Sequence, residues 1–132
     1  MSNFPPHIQT IESVALHQYF GFKLLEAENG KAKAQITVTD NVINPAGMLH
    51  GGVVYSLCDV ICYLAFLSKA GEDAFAATHD IFVSVLRSAR AGDIVTFEGE
   101  ITKLGKNLAF LESNAYVDGK KIATAKVTKS IL

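Results

Sequence analysis

Cysteine is nearly absent from this chain. Cys58 and Cys62 are the only two in 132 residues, and they lie four apart in one apolar stretch. Side chains on neighbouring turns of a helix run parallel, a poor geometry for a disulfide. Both therefore read as reduced core thiols, which suits a cytoplasmic protein. Neither has further Cys or His at metal-ligand spacing, so no metal and no bound cofactor is expected. An excess of one charge is also missing, with 12 Lys and Arg against 13 Asp and Glu. Nothing is left over to neutralise phosphates, which argues against nucleic-acid binding, and the charge gives no reason to expect a membrane surface. Residues 1–10 lack a basic start followed by an apolar run, so no signal peptide is read there. The longest apolar stretch, Val53 to Leu67, covers 15 residues with Asp59 at its middle. A bilayer span takes about 20, so this stretch reads as a buried helix.

What is present is an ordinary globular composition, 49% hydrophobic and 19% charged, and the chain is expected to form one domain over residues 1–132. Ile8, Ile11, Val14, Ala15 and Tyr19 recur at helical spacing, with Thr10 as a candidate cap and Gly21 as a stop. Strands are expected over 22–27 and 31–39. Asn29-Gly30 between them is a hairpin signal, because both turn positions want positive φ. Ala32, Ala34, Ile36 and Val38 alternate with polar neighbours, so one side of that sheet is wet. Residues 40–49 read as a loop, and a helix from about Gly51 to Lys69 should follow. It is apolar nearly all round and so enclosed. Strands over about 76–86, 93–103, 108–117 and 121–132 complete a long antiparallel meander joined by hairpins. One layer of sheet must cover its apolar face, and the central helix is the candidate large enough. The fold class is α+β, a sheet curled around one long helix.

The chemistry gathers in Asn44-Pro45-Ala46-Gly47-Met48-Leu49-His50-Gly51-Gly52, with Asp59 beyond. Two glycines at a helix start leave backbone N–H groups uncovered, and the helix dipole adds partial positive charge there. Such a place can hold a carbonyl oxygen whose negative charge grows during attack. Asn44 could orient the loop or donate a second hydrogen bond, and Asp59 could position or deprotonate a water. The bland readings stand beside these. Gly51 and Gly52 could serve close packing alone, His50 could be a structural hydrogen-bonder, and Asp59 could be a carboxylate satisfied by Ser56 or Tyr63. Cys58 and Cys62 lack a placed base and read as packing. Eight residues along a helix span about 12 Å, too far for Asp59 to attack a carbonyl held by Gly51 of the same chain. Joint action therefore requires Asp59 from a partner subunit, and two equivalent sites at a two-fold interface.

Asn44…Gly47-x-Leu49-His50-Gly51-Gly52…Asp59 resembles the signature of the hotdog-fold acyl-CoA thioesterases, in the branch of the phenylacetyl-CoA, 4-hydroxybenzoyl-CoA and thioesterase superfamily member two types. Residues 86–93, 103–108 and 118–125 resemble the family's strand-end and hairpin motifs. The resemblance implies a hotdog fold and hydrolysis of an acyl-CoA by a homo-oligomer, a dimer or a dimer of dimers. It implies that the Gly51 amide polarises the thioester carbonyl, that Asn44 holds the carbonyl or its loop, and that Asp59 of the other subunit acts as general base or nucleophile. Thr78 falls where the mammalian branch has a water-positioning serine, once one extra residue is allowed in the preceding loop. His50 would stabilise the loop. Gly52, Arg87, Arg90, Lys103, Gly105, Lys106, Asn107 and Leu108 are the candidate CoA contacts. Tyr63 stands where the 4-hydroxybenzoyl branch has a threonine, which speaks against that substrate. A hydratase or dehydratase on acyl thioesters, and a non-catalytic acyl-CoA binding module, are the alternatives.

Overall fold

The computed structural model describes residues 3–132; Met1 and Ser2, which open the stretch read for a signal peptide, lie outside it. Two short helices, α1 (Pro6–Glu12) and α2 (Ala15–Tyr19), lead into β1 (Lys23–Glu28) and β2 (Lys31–Thr37). A 3-10 turn at Asp40–Val42 and a loop precede α3 (Gly51–Ala70). The strands β3 (Ala76–Val85), β4 (Ile94–Leu104), β5 (Leu108–Val117) and β6 (Lys120–Ile131) follow. All six strands form one antiparallel sheet in the order β1-β2-β4-β5-β6-β3. The sheet curls around α3, the hotdog arrangement.

The expected N-terminal helix is broken in two. Thr10 is no cap: it lies inside α1, and its hydroxyl donates to the Pro6 carbonyl at 2.8 Å. The break has a tertiary cause. The Glu12 carboxylate accepts the Leu24 N–H at 2.7 Å and so ties the end of α1 to β1. Val14 then turns extended before α2 starts. Gly21 ends α2 in the left-handed region as expected, at φ +78°. The Asn29-Gly30 hairpin also forms, with both residues at positive φ. The meander holds for β4, β5 and β6 but not for β3. β3 crosses to the far edge and pairs with β6 instead.

α3 runs for 20 residues, long and apolar enough to cross a bilayer by length and composition alone. Here its apolar residues face the sheet instead. Leu57, Ile61, Leu64, Ala65 and Phe66 are fully buried against Ala34, Val95, Phe97 and Ala115. Small residues let the helix approach. A Cβ on Gly99 of β4 would stand 3.0 Å from the Ile61 carbonyl oxygen, closer than such contacts allow. One stripe of α3 escapes cover: Gly52, Tyr55, Ser56, Asp59, Val60 and Tyr63 are exposed or half-buried. They recur at helical spacing, so they share one face.

The contact at Gly99 sets a stability test. Gly99→Ala forces helix and sheet apart, and overpacking of this kind costs about 1–3 kcal/mol. The expected result is a lower urea midpoint with an unchanged slope. A midpoint equal to that of the parent chain would show that the helix seat has slack.

Candidate functional site

Two separate clusters lie along α3, one at its N-terminus and one on the open stripe near its middle. The N-terminal cluster is built by the loop that precedes the helix. Asn44 Oδ1 accepts the Ala46 N–H at 2.9 Å and the Met48 N–H at 3.1 Å, which folds the loop back on itself. Its side-chain NH2 is left to donate elsewhere. His50 caps α3: its Nδ1 accepts the Gly52 N–H at 2.9 Å, which puts the ring proton on Nε2. The Val53 and Val54 N–H groups donate to the His50 carbonyl. Among the described residues the Gly51 N–H alone in this first turn has no protein acceptor. The expectation of two free amides is thus corrected. Gly52 offers none, because His50 has taken it, and His50 braces the helix start rather than the loop.

Asn44 and Gly51 line one cavity of about 210 Å³ together with Val54, Tyr55, Arg87 and Ser88. The Tyr55 ring folds back over Gly51, so that a Cβ there would meet its hydroxyl at 3.1 Å. Beyond Arg87 and Ser88 lies a groove of about 500 Å³ with Arg90 and Lys120 on its walls. Arg90 is fixed by a β-bridge to Met48, and its backbone N–H donates to Asp93 at 2.9 Å. Arg87 and Arg90 therefore belong to the Gly51 end.

The second cluster sits two turns along α3. The Thr78 hydroxyl lies 2.8 and 2.9 Å from the two Asp59 oxygens. The Lys129 ammonium donates to Asp59 Oδ1 at 3.1 Å and to Thr78 Oγ1 at 2.9 Å, and stands 5.1 Å from the centre of the Tyr63 ring. The Lys129 side chain is 2% exposed and that of Asp59 33%. Neither bland partner expected for Asp59 bonds to it. Ser56 donates to the Gly52 carbonyl instead, and Tyr63 offers its ring to the lysine. A β-bulge between Thr78 and Asp80 interrupts the register of β3 just after Thr78. His79, in that bulge, pairs with Asp80 on the exposed edge at 2.9 Å.

Lys129 was missed, although its signal is simple. Ala123, Ala125 and Val127 are the inward residues of β6, and the period of two puts Lys129 next in that row. Lys103, Gly105, Lys106, Asn107 and Leu108 occupy the β4–β5 hairpin. The Gly105 N–H donates to the Leu108 carbonyl at 2.9 Å to close the turn. Ala109 pairs with Lys129, which places this hairpin at the Asp59 end. Within one chain, then, the candidates divide into a Gly51 half with Asn44, His50, Gly52, Arg87 and Arg90, and an Asp59 half with Thr78 and the hairpin. Among the described residues no group of three or more His, Cys, Asp or Glu could hold a metal ion.

The two cysteines next to Asp59 are chemically quiet. Burial pushes the Cys58 thiol up to about 11 and that of Cys62 to about 12. Cys58 is further fixed through its carbonyl, which accepts the Ser113 hydroxyl at 2.9 Å. Both thiols titrate above their ordinary 9.0 in the folded chain, so the unfolded chain ionises first as pH rises. The stability tied to neutral thiols is full below about 9 and is lost through about 11 to 12. The urea midpoint should therefore fall above pH 9, and less steeply in Cys62→Ala. In the native protein at pH 8 a disulfide thiol reagent is expected to find no reactive thiol, and in denaturant two per chain. Rapid reaction of either cysteine in the native state would contradict this burial.

Residues 46–124 match the family model of the thioesterase superfamily. Human acyl-coenzyme A thioesterase 13 is 29% identical over 110 residues, 82% of this chain and 78% of that protein. A protein named as an esterase in Caenorhabditis elegans is 30% identical over 82% of this chain, which spans 64% of that relative's length. Among solved structures, the conserved protein PA5202 from Pseudomonas aeruginosa superposes with a TM-score of 0.91 at 23% identity, covering 97% of this chain and all of that one. The smu.793 protein of Streptococcus mutans, bound to acetyl CoA, superposes with a TM-score of 0.78 at 25% identity over 84% of this chain and 88% of that one.

Proposed function

The chain belongs to the thioesterase superfamily, and from that premise we propose that it hydrolyses acyl-CoA thioesters as a two-fold homodimer. The observation that carries this reading is the division of the site. A bare Gly51 amide at the start of α3 and a hydrogen-bonded Asp59 carboxylate on its open stripe lie eight residues apart. Each end lacks what the other has, so two chains laid antiparallel would complete two sites.

The edge strand β3 supports that pairing. Only one side of it is paired, by β6, and Ile81, Phe82 and Val85 stand exposed along it, with Leu86 just beyond its end. A long apolar edge is a ready template for another strand, and a second copy of β3 offers the same edge in return. Antiparallel pairing centred near Ile81 and Phe82 would set the Thr78 end of one strand against the Val85 end of the other. Thr78 carries Asp59 with it, and Val85 lines the Gly51 cavity.

The reaction then reads as follows. The thioester carbonyl oxygen accepts the Gly51 N–H, whose dipole stabilises the charge that grows on that oxygen. Asn44 shapes the loop and can donate through its free NH2. Asp59 of the partner chain acts as general base on a water or as nucleophile on the carbonyl carbon, with Thr78 bonded to it. Coenzyme A leaves past Arg87 and Arg90, whose charges suit its phosphates, while the partner's hairpin around Lys103, Lys106 and Leu108 flanks the same opening. The free, buried Cys58 and Cys62 support the cytoplasmic setting. No feature of the geometry favours the hydratase or the binding-module reading.

Free-thiol release from a panel of acyl-CoAs, acetyl through phenylacetyl and benzoyl to palmitoyl, tests the activity. Asp59→Asn should fold normally and lose at least about 100-fold in kcat; retained turnover would remove Asp59 from the chemistry. The shared site has its own test. Gly51→Pro deletes the amide hydrogen at a helix position where proline is tolerated. Refolding this variant together with Asp59→Asn makes mixed dimers in which one site carries both changes and the other neither. Random mixing should return about a quarter of wild-type activity. No recovery would place both halves of the site in one chain.

A further inference from the structure

We infer that Lys129 is a positioning residue, whose ammonium fixes one oxygen of Asp59 and leaves the other to face the substrate. This rests on the reading of Asp59 as the reacting acid. An ammonium has three N–H bonds, and Lys129 has three directions in which to use them: Asp59 Oδ1 at 3.1 Å, Thr78 Oγ1 at 2.9 Å and the Tyr63 ring at 5.1 Å from its centre. At 2% exposure it has almost no water to replace any of them. Its donors are spent inside the cluster, so it acts through Asp59 rather than on a substrate.

The hydrogen-bond directions select the working oxygen. Thr78 accepts from Lys129, so its single proton goes to the carboxylate. Oδ1 is met by Lys129 and Thr78, whereas Oδ2 is met by Thr78 alone. Oδ2 therefore retains lone-pair capacity, on a side chain that is 33% open. A carboxylate gripped from two elements, β3 and β6, cannot turn freely about its own axis, which is what alignment for attack demands. The pair is also neutral in sum, so a polyanionic thioester approaching Asp59 meets no unbalanced negative charge. Titratable groups beside the pair include Cys58, Cys62 and Tyr63 on α3, and the exposed His79–Asp80 pair next to Thr78 on β3. None of them can take over the role of the ammonium.

The test is a cycle of Lys129→Met, Asp59→Asn and the double variant, assayed on the best acyl-CoA, with the fold checked by circular dichroism. Lys129→Met should lower kcat by about 10- to 100-fold and leave KM within about threefold. In the Asp59→Asn background it should add less than about twofold, because a positioning residue has nothing left to position. A second variant guards against misfolding. In Lys129→Ala, ethylammonium from solution should restore kcat severalfold where equimolar sodium chloride does not. The inference is overturned if Lys129→Met keeps kcat within twofold of the parent, if the two losses multiply in the double variant, or if ethylammonium restores nothing. A parent enzyme that releases no thiol from any acyl-CoA overturns the hydrolase reading and this role together. That failure differs from the others, all of which need an active parent.

Discussion

The inner face of the six-stranded sheet is apolar, and α3 has to cover it. Much of the rest follows from this constraint. The inward positions alternate bulky residues such as Phe97 and Leu111 with alanines and Gly99, so that the sheet can bend and the helix can sit close. The helix in turn must be apolar on most of its circumference, which makes it resemble a membrane span in composition alone. Between its ends α3 meets water along one narrow stripe, and Asp59 lies on it.

Placing charge next to such a core is costly unless the charge is matched. The molecule meets this by bringing Lys129 from β6 and Thr78 from β3 to one side of Asp59, with the ring of Tyr63 as a floor. The same arrangement explains why a lysine can sit at 2% exposure. At the other end the helix start is held by a neutral device, the His50 ring on the Gly52 amide, which leaves a single N–H free rather than a diffuse patch of them. On α3 itself, the buried ion pair and the lone hydrogen-bond donor are thus kept two turns apart.

Much of this was legible before any coordinates. The alternation in β2 and β4, the Asn29-Gly30 turn and the apolar run of α3 are local signals, and local physics was enough to read them. The Asn44, Gly51 and Asp59 spacing was legible too, including the distance that separates the last two. What failed was tertiary. The break between α1 and α2 depends on Glu12 reaching β1, and the place of β3 beside β6 depends on how the whole sheet closes. The loss of the Gly52 amide depends on a histidine rotamer. Lys129 is a different case. Its inward position follows from period two, but a lysine at the end of a strand invites the assumption that it is solvated, and only its packing shows otherwise.

The separation of Gly51 from Asp59 along one rigid helix has a consequence for timing. On the two-chain reading, a newly made chain can fold, bury its core and display a Gly51 cavity, yet has nothing nearby to attack what it holds. Catalytic competence then becomes second order in chain concentration. It appears on encounter and fades on dilution, so the cell's CoA esters are exposed to hydrolysis only in proportion to how many chains have found one another.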